Sequence, residues 1–343
     1  MNWAKPLADV MWLLEKPLPS QEPSHTSAAF ACGSSAPKED PKAVKSLAIA
    51  VKPTTTTYYE GDTFDPAGVR IDANLADGSV QEGVAYEYEA TTPLTAKGYK
   101  VKFNYGGQTV VLNLDIIRAG NRPEYDLENT EPLESSPLAG KVYFFLGSSV
   151  TRGEHSDGQS MADFLAKRNG CTCIKEAVSG TPLLDNSDKS YVKRFDAFLA
   201  SEDCPEQLDA FICQLSTNDL KFSDQFGEVT ADDVRDTAAF DVTTTAGAME
   251  YIVAKAQQKW DCPILFYTNS NFHNETYEKE IALMDAVIAK WQIGVIDLYR
   301  DEALNSISDE QKDLYMADNV HPTRAGYRDW WTPKFEEVLG GLQ

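Results

Sequence analysis

Hydrophobic and polar positions follow two different periods along the chain, and the change falls near residue 141. Before it, short runs alternate apolar and polar residues, so that Val101 and Phe103 share one face of a predicted strand whose other face is polar. Asp-Gly and Gly-Gly dipeptides between such runs are typical of hairpin turns. The pattern predicts a small all-β sandwich over residues 44–117. Its strands are expected at 46–51, 55–61, 69–75, 84–90, 99–105 and 108–117.

After residue 141, near-continuous apolar runs alternate with segments of helical period. The runs predict strands at 141–147, 172–178, 209–216, 263–269 and 293–298. Helices are expected between them, at 160–170, 190–201, 243–260 and 275–291. This alternation predicts an α/β fold, a three-layer α/β/α doubly wound parallel sheet of the flavodoxin-like kind. In such sheets, sites lie beyond the carboxyl ends of the strands.

Two further segments complete the predicted organisation. Residues 118–140 contain prolines and many acidic side chains without a period, which predicts an extended linker. Residues 1–43 are predicted to be a disordered leader or tether. Within it, the stretch around Cys32 resembles the junction of a bacterial lipoprotein, which implies a lipidated cysteine; the alternative is an incidental cysteine in a leader.

The net charge of the chain limits the classes of molecule that it is expected to bind. The chain has 343 residues and a formal net charge of −22, from 53 acidic and 31 basic side chains. Phosphate backbones and anionic membrane surfaces attract basic patches, so the charge argues against both as partners. No apolar stretch is long enough to predict a membrane span.

The six cysteines are not arranged as metal ligands. None forms a C-x-x-C pair, and Cys171 and Cys173 lie two residues apart. Buried free thiols are the simpler interpretation, although a disulfide stays open. The four histidines also show no ligand spacing, so we expect neither a metal nor another cofactor.

Hydroxyl, amide and imidazole side chains follow the predicted strands. The first strand ends at Gly147 and runs into Ser148 and Ser149, while the later strand ends carry SGT (179–181) and STND (216–219). A serine hydroxyl becomes a nucleophile only when a base takes its proton, and histidine is suited to that role near neutral pH.

Among the histidines, His321 has a carboxylate, Asp318, three residues before it. In a compact turn that spacing lets the carboxylate hold one ring nitrogen while the other faces a serine. His155 lies in the loop after the two serines and stays a candidate; His273 is expected in a polar loop that lines the cleft, and His25 lies in the leader.

The blocks GSSVT, SGT, STND and DNVH occur in the order that the SGNH (GDSL-like) hydrolase family shows, and residues 141–343 resemble this family. The resemblance implies a serine esterase with Ser149 as nucleophile, His321 as base and Asp318 as its partner. It also implies oxyanion donors at Gly180 and Asn218 and at the Ser149 N–H. Ser148 stands where the family usually has aspartate, and Ser216 where it often has glycine.

Residues 44–117 resemble bacterial immunoglobulin-like domains, which implies a spacer or a carbohydrate-binding module on an exported protein. We therefore expect an extracellular or cell-surface esterase that removes short acyl groups, O-acetyl above all, from carbohydrate. Two alternatives are an O-acyltransferase on glycans and a non-catalytic glycan-binding protein.

Overall fold

The computed structural model describes residues 40–96 and 98–342. The leader that precedes residue 40, with Cys32 and His25, lies outside the described residues, so its lipidation and the cell-surface location stay predictions. Within the described residues, no helix combines the length and the apolar character that a membrane span requires.

The N-terminal unit is all-β. Its strands are β1 (Val44–Val51), β2 (Thr57–Tyr59), β3 (Arg70–Leu75), β4 (Val80–Gln81), β5 (Glu87–Glu89), β6 (Lys100–Tyr105), β7 (Gln108–Asn113) and β8 (Asp115–Ile117). They form antiparallel sheets in the orders β1-β3-β4 and β5-β6-β7, with β2 and β8 paired in parallel.

The alternation of apolar and polar residues in β6 predicts correctly which face of the strand is buried. Val101 and Phe103 are fully buried in the core of the unit, whereas Lys100 and Lys102 are exposed. A period of two places successive side chains on opposite faces of a strand, so the buried face is decided locally. The likeness of this unit to immunoglobulin-like domains stays a prediction.

Five parallel strands build the second unit. They are β9 (Val142–Gly147), β10 (Thr172–Ala177), β11 (Ala210–Gln214), β12 (Ile264–Tyr267) and β13 (Gly294–Ile296), in the order β10-β9-β11-β12-β13. The helices are α1 (Ser149–Arg152), α2 (Met161–Asn169), α3 (Tyr191–Leu199), α4 (Thr245–Lys259), α5 (Glu275–Trp291), α6 (Glu302–Asn305), α7 (Asp309–Tyr315) and α8 (Thr332–Gly340). A π-helical turn, Gly326–Trp331, leads into α8.

The sheet separates two hydrophobic cores. In β9, Phe144 and Leu146 belong to the core under α3, α4 and α5, whereas Tyr143 and Phe145 belong to the core under α2 and α8. The predicted three-layer α/β/α fold is therefore confirmed. The sequence pattern predicts neither α6 nor α7, the two short helices between β13 and His321.

This strand order decides where a site can form. From β9 the chain crosses to β10 on one side, and it then returns to β11 on the other side of β9. The connections thus leave β9 and β11 in opposite directions, which opens a crevice beyond their carboxyl ends. Ser149 follows β9 and Asn218 follows β11, so both lie at this crevice.

The segment 118–140 differs from the extended connection that its composition predicts. It forms three 3-10 turns, Ala119–Asn121, Pro123–Tyr125 and Leu127–Asn129, and Leu138 is buried in the core under α2 and α8. Its polar groups bond to the α/β unit: the Leu133 N–H donates to the Arg168 carbonyl. Pro123 begins the second of these turns, so proline supplies a turn here rather than an open chain.

All five cysteines in the described residues are free thiols. Cys171 and Cys213 are buried and the other three are half-buried. The Sγ atoms of Cys171 and Cys173 lie 3.8 Å apart, without a covalent bond.

Candidate active site

The turn after β9 separates the two serines. Ser148 is fully buried, and its backbone N–H donates to Oε1 of Gln214 at 2.8 Å. Ser149 begins α1 and reaches the crevice, where its Oγ lies 2.8 Å from Nε2 of His321. Gly147 allows the turn to close, because a Cβ there would stand only 1.7 Å from Oγ1 of Thr151.

Gln214, at the end of β11, fixes this turn through hydrogen bonds. Its Oε1 accepts hydrogen bonds from the backbone N–H groups of Ser148 and Thr151, and from Oγ1 of Thr151 at 2.8 Å. The Thr151 hydroxyl also contacts the hydroxyl of Tyr267, at the end of β12. Gln214 was not among the predicted site residues, although a single polar side chain at the end of an apolar strand is a signal for it.

His321 and Asp318 lie in a compact turn after α7. One carboxylate oxygen of Asp318 accepts the backbone N–H groups of Val320 and His321 at 2.8 Å each, and the other lies 2.8 Å from Nδ1 of His321. Nδ2 of Asn269, just past β12, donates to the Val320 carbonyl at 3.0 Å and supports the turn. The structure therefore brings Ser149, His321 and Asp318 into one hydrogen-bonded row.

The electrostatics of Asp318 favour its ionised form. Partial burial raises the pKa of this carboxyl, but the two backbone N–H groups and the His321 ring outweigh that effect. The pKa consequently lies below its ordinary value. An ionised Asp318 holds a proton on Nδ1 of His321, which leaves the lone pair of Nε2 toward Ser149.

Gly180 and Asn218 follow the two strands on either side of β9. Gly180 has a φ of +78°, which side chains other than glycine rarely adopt, and it is exposed to the crevice. Nδ2 of Asn218 donates to the Thr181 carbonyl at 3.2 Å, which fixes the amide beside the same turn. Among the described residues, no acceptor engages the backbone N–H of Ser149 or Gly180.

Arg194 joins these turns and was also missed by the sequence analysis. The guanidinium is almost fully buried and donates to the Gly147 carbonyl at 2.8 Å and to Oγ1 of Thr181 at 3.2 Å. It also bonds the carbonyl and the carboxylate of Glu176. One side chain of α3 thereby ties the ends of β9 and β10 together.

The two other histidines in the described residues, His155 and His273, lie in different parts of the α/β unit. His155 lies beside the row, with its ring centroid 5.1 Å from that of His321 and its Nε2 3.6 Å from Asp318. His273 lines a separate cavity of about 270 Å³ that also contains Asn271, Met316 and Asn319. His155 and His321 therefore come together although they show no ligand spacing in the sequence, because loop packing overrides their distance along the chain.

The loop that follows α1 carries polar and charged side chains. A shallow cavity of about 310 Å³ is lined by Arg152, Glu154, His155 and Asp157, with two glycines. Neither Ser149 nor His321 lines this cavity or the larger cavities of about 490, 630 and 880 Å³.

The family model of GDSL-like lipases and acylhydrolases matches residues 145–328, more than half of the chain. The chain belongs to this family. It is therefore an acylhydrolase, an enzyme that cleaves carboxylic esters. The matched range runs from β9 to the π-helical turn and includes every residue of the row. No curated protein matches the chain.

Several solved structures are similar to this GDSL-like hydrolase. A protein of Lactobacillus plantarum is 21% identical, with 59% of this chain and 97% of that chain covered and a TM-score of 0.48. A Bacteroides ovatus protein described as a GDSL-like lipase is 18% identical, with 59% and 98% covered and a TM-score of 0.43. An acetyl xylan esterase from Geobacillus stearothermophilus is 12% identical, with 61% and 98% covered and a TM-score of 0.41.

Proposed function

We propose that the enzyme hydrolyses short-chain O-acyl esters of carbohydrates, O-acetyl groups above all, through an acyl-enzyme on Ser149. The observation that carries this proposal is the hydrogen-bonded row, with 2.8 Å from Ser149 Oγ to His321 Nε2 and 2.8 Å from His321 Nδ1 to Asp318. A nucleophile, a base and a group that orients the base are in bonding distance without any rearrangement.

The reaction proceeds in two halves. Ser149 Oγ attacks the ester carbonyl while Nε2 of His321 takes its proton, and the imidazolium then gives that proton to the leaving alcohol. A water molecule next loses a proton to His321 and attacks the acyl-enzyme, which releases the carboxylic acid. Asp318 stabilises the imidazolium in both halves.

Three donors are suited to the negative charge that develops on the carbonyl oxygen. They are the free N–H groups of Ser149 and Gly180 and the side-chain amide of Asn218, which follow three neighbouring strands. A fixed donor of this kind lowers the barrier by about 3–4 kcal/mol, since it needs no reorganisation during the reaction.

The surroundings support a short acyl group and a polar alcohol. The cavity formed by the loop after α1 is small and is lined by charged side chains, and one of its lining residues, His155, lies beside His321. A polyhydroxylated alcohol finds hydrogen-bond partners there, whereas a long alkyl chain would not be covered. The all-β unit, proposed as a spacer or carbohydrate-binding module, agrees with a glycan substrate.

The test is a panel of acetylated xylan, pectin, sialosides and peptidoglycan fragments, with a chromogenic acetyl ester as reference. Ser149→Ala should lower kcat by about 10⁴-fold or more. Ser148→Ala is the matched control and should stay within about tenfold of wild type, because the backbone N–H that Gln214 accepts is retained. Full activity of Ser149→Ala would end the proposal, and acetyl transfer to an added glycan in place of release would assign a transferase.

A further inference from the structure

A second imidazole stands against Asp318. His155 and His321 meet edge to face, at 63°, and the nearest atoms of His155 and Asp318 are 3.6 Å apart. One donor atom each from His155, Asp318 and His321 lies within 4.8 Å of the other two. His155 plays no part in the hydrolysis proposed above.

Residues 118–140, the segment between the two units, fix the position of His155. Its backbone has a φ of +62°, a conformation that costs a non-glycine residue about 1–3 kcal/mol and persists only where the surroundings impose it. Here Nδ2 of Asn121 donates to the His155 carbonyl at 2.6 Å. Arg324, three residues after His321, donates its backbone N–H to Oδ1 of Asn121 at 2.9 Å. Asn121 thus links the loops that carry the two imidazoles.

Two imidazoles and a carboxylate are a donor set that suits zinc and neighbouring transition metals, whereas magnesium prefers oxygen ligands. Zinc bonds such ligands at about 2.0–2.2 Å, which puts them about 3.3 Å from one another in a tetrahedral site. Two of the separations are already near that value, 2.8 Å between Asp318 and Nδ1 of His321 and 3.6 Å between Nε2 of His155 and Asp318, and all three lie within 4.8 Å. About half of the His155 and Asp318 side chains is exposed, so both can make the remaining movement and a hydrated ion can reach them.

We propose that His155, Asp318 and His321 form a zinc site, and that zinc bound there switches the esterase off. The site uses Nε2 of His155, a carboxylate oxygen of Asp318 and Nδ1 of His321, with water in the remaining position. Binding needs no other reactant: the hydrated ion exchanges water molecules for the three protein ligands.

The tautomer of His321 explains the inhibition, and this part rests on the proposed function. In the free enzyme, Nδ1 carries the proton and Nε2 offers its lone pair to Ser149. Zinc takes the lone pair of Nδ1, so the proton leaves Nδ1 and Nε2 takes one up from solvent, with no net change in protons. Nε2–H then faces Ser149 Oγ, and no base is left to accept the serine proton.

Binding is measured by calorimetric titration of the full chain with zinc chloride. His155→Asn removes the ligand while asparagine tolerates the left-handed backbone. His273→Asn is the matched control, because His273 also has a positive φ, of +53°, and lines a different cavity. We expect His155→Asn to lose a zinc-binding event, or to weaken it more than about tenfold, and His273→Asn to keep it. Identical titrations of wild type and His155→Asn would overturn the site. Zinc ligands elsewhere in the chain cancel in this comparison.

Inhibition is measured separately on the chromogenic ester. Zinc should inhibit wild type and His273→Asn alike, a chelator should restore activity, and magnesium should have no effect. His155→Asn should need more than about tenfold more zinc for half inhibition. If zinc binds through His155 but hydrolysis continues unchanged, the switch is wrong. If Ser149→Ala remains fully active while zinc still binds through His155, the proposed function fails and the metal site stands.

Discussion

At the scale of single residues, Gln214 decides which serine reaches the crevice. Its Oε1 accepts the N–H of Ser148 and the N–H and hydroxyl of Thr151, which fixes the turn around Ser149. Neither Ser148 nor Thr151 has access to water that could replace this acceptor, since both are fully buried. Ser149, the proposed nucleophile, therefore depends on a side chain that does not touch it.

Gln214→Met is expected to lower kcat by about 10–100-fold with little change in KM. Methionine has nearly the same size but leaves buried donors without an acceptor, which costs about 1–3 kcal/mol in stability. Steady-state kinetics and denaturant unfolding measure the two effects. Gln258→Met, at an exposed position on α4, is the control and should change neither. An unchanged kcat in Gln214→Met would show that the turn holds without this acceptor.

The pKa of Asp219, the last residue of the STND block, predicts that the free energy of unfolding depends on pH. Burial raises its pKa to about 6, although the N–H groups of Leu183 and Leu184 and the hydroxyls of Thr245 and Ser216 work in the opposite direction. The folded state thus binds a proton more tightly than the unfolded state, so the group favours folding at low pH. That contribution is lost as the pH rises through about 6.

The comparison of wild type with Asp219→Asn isolates this contribution. Relative to the variant, wild type should lose about 3 kcal/mol in its free energy of unfolding between pH of about 4 and about 7. Urea unfolding at several pH values measures the difference. A difference that is constant with pH, or that grows in the other direction, would contradict the prediction.

At the scale of elements, a buried ion pair joins α4 to α5. Nζ of Lys290 contacts the Glu250 carboxylate at 2.5 Å, and both side chains are almost completely buried. The backbone N–H of Thr230 and the indole of Trp291 also donate to this carboxylate. These donors compensate the burial of the Glu250 carboxylate. Removing only one partner of the ion pair leaves an uncompensated buried charge, which is strongly destabilising.

Lys290→Met should reduce the free energy of unfolding by about 3–5 kcal/mol, because Glu250 is left as an uncompensated buried charge. Thermal and urea unfolding measure the loss. Adding Glu250→Gln in the same chain should recover part of it. Lys255→Met on α4 is the control: its pair with Asp196 is partly exposed and contributes at most about 1 kcal/mol. Equal losses in the two single variants would contradict this account.

At the scale of the whole molecule, Arg118 connects the all-β unit to the loop that carries the candidate triad. Nη1 bonds Glu60 in the β unit, and Nη2 donates to the carbonyls of Asp313 and Met316 at 2.9 and 2.8 Å. Met316 lies two residues before Asp318. The β unit is therefore docked against the end of α7 and the turn that follows.

Arg118→Ala is expected to loosen this docking, with about 1–3 kcal/mol lost because two carbonyls and a carboxylate lose their donor. Scanning calorimetry should show the unfolding of the two units separating into two transitions. Lys42→Ala is the control, since Lys42 pairs only with residues of its own unit and should leave the transition unchanged. A single transition at the wild-type temperature in Arg118→Ala would mean that the units are held by other contacts.

The sequence alone determined the two kinds of unit and the edge at which chemistry occurs. Periods of two and 3.6 are local, so the faces of β6 and the helices between the parallel strands could be predicted from neighbouring residues. The carboxyl ends of parallel strands meet at one edge, and the compact Asp318–His321 turn lies within four residues. The sequence therefore predicts that Ser149 and Asn218 lie at one crevice.

Only the tertiary structure decided which side chains support the turn around Ser149, which histidine lies beside Asp318, and how residues 118–140 pack. Gln214 lies 66 residues from Ser148, and His321 lies 172 from Ser149, and such contacts leave no periodic signal in the chain. The position of His155 beside Asp318 and the packing of residues 118–140 depend in the same way on loops. A loop takes its conformation from the polar groups that it finds on other elements, and those groups come together only when the sheet and its helices have packed.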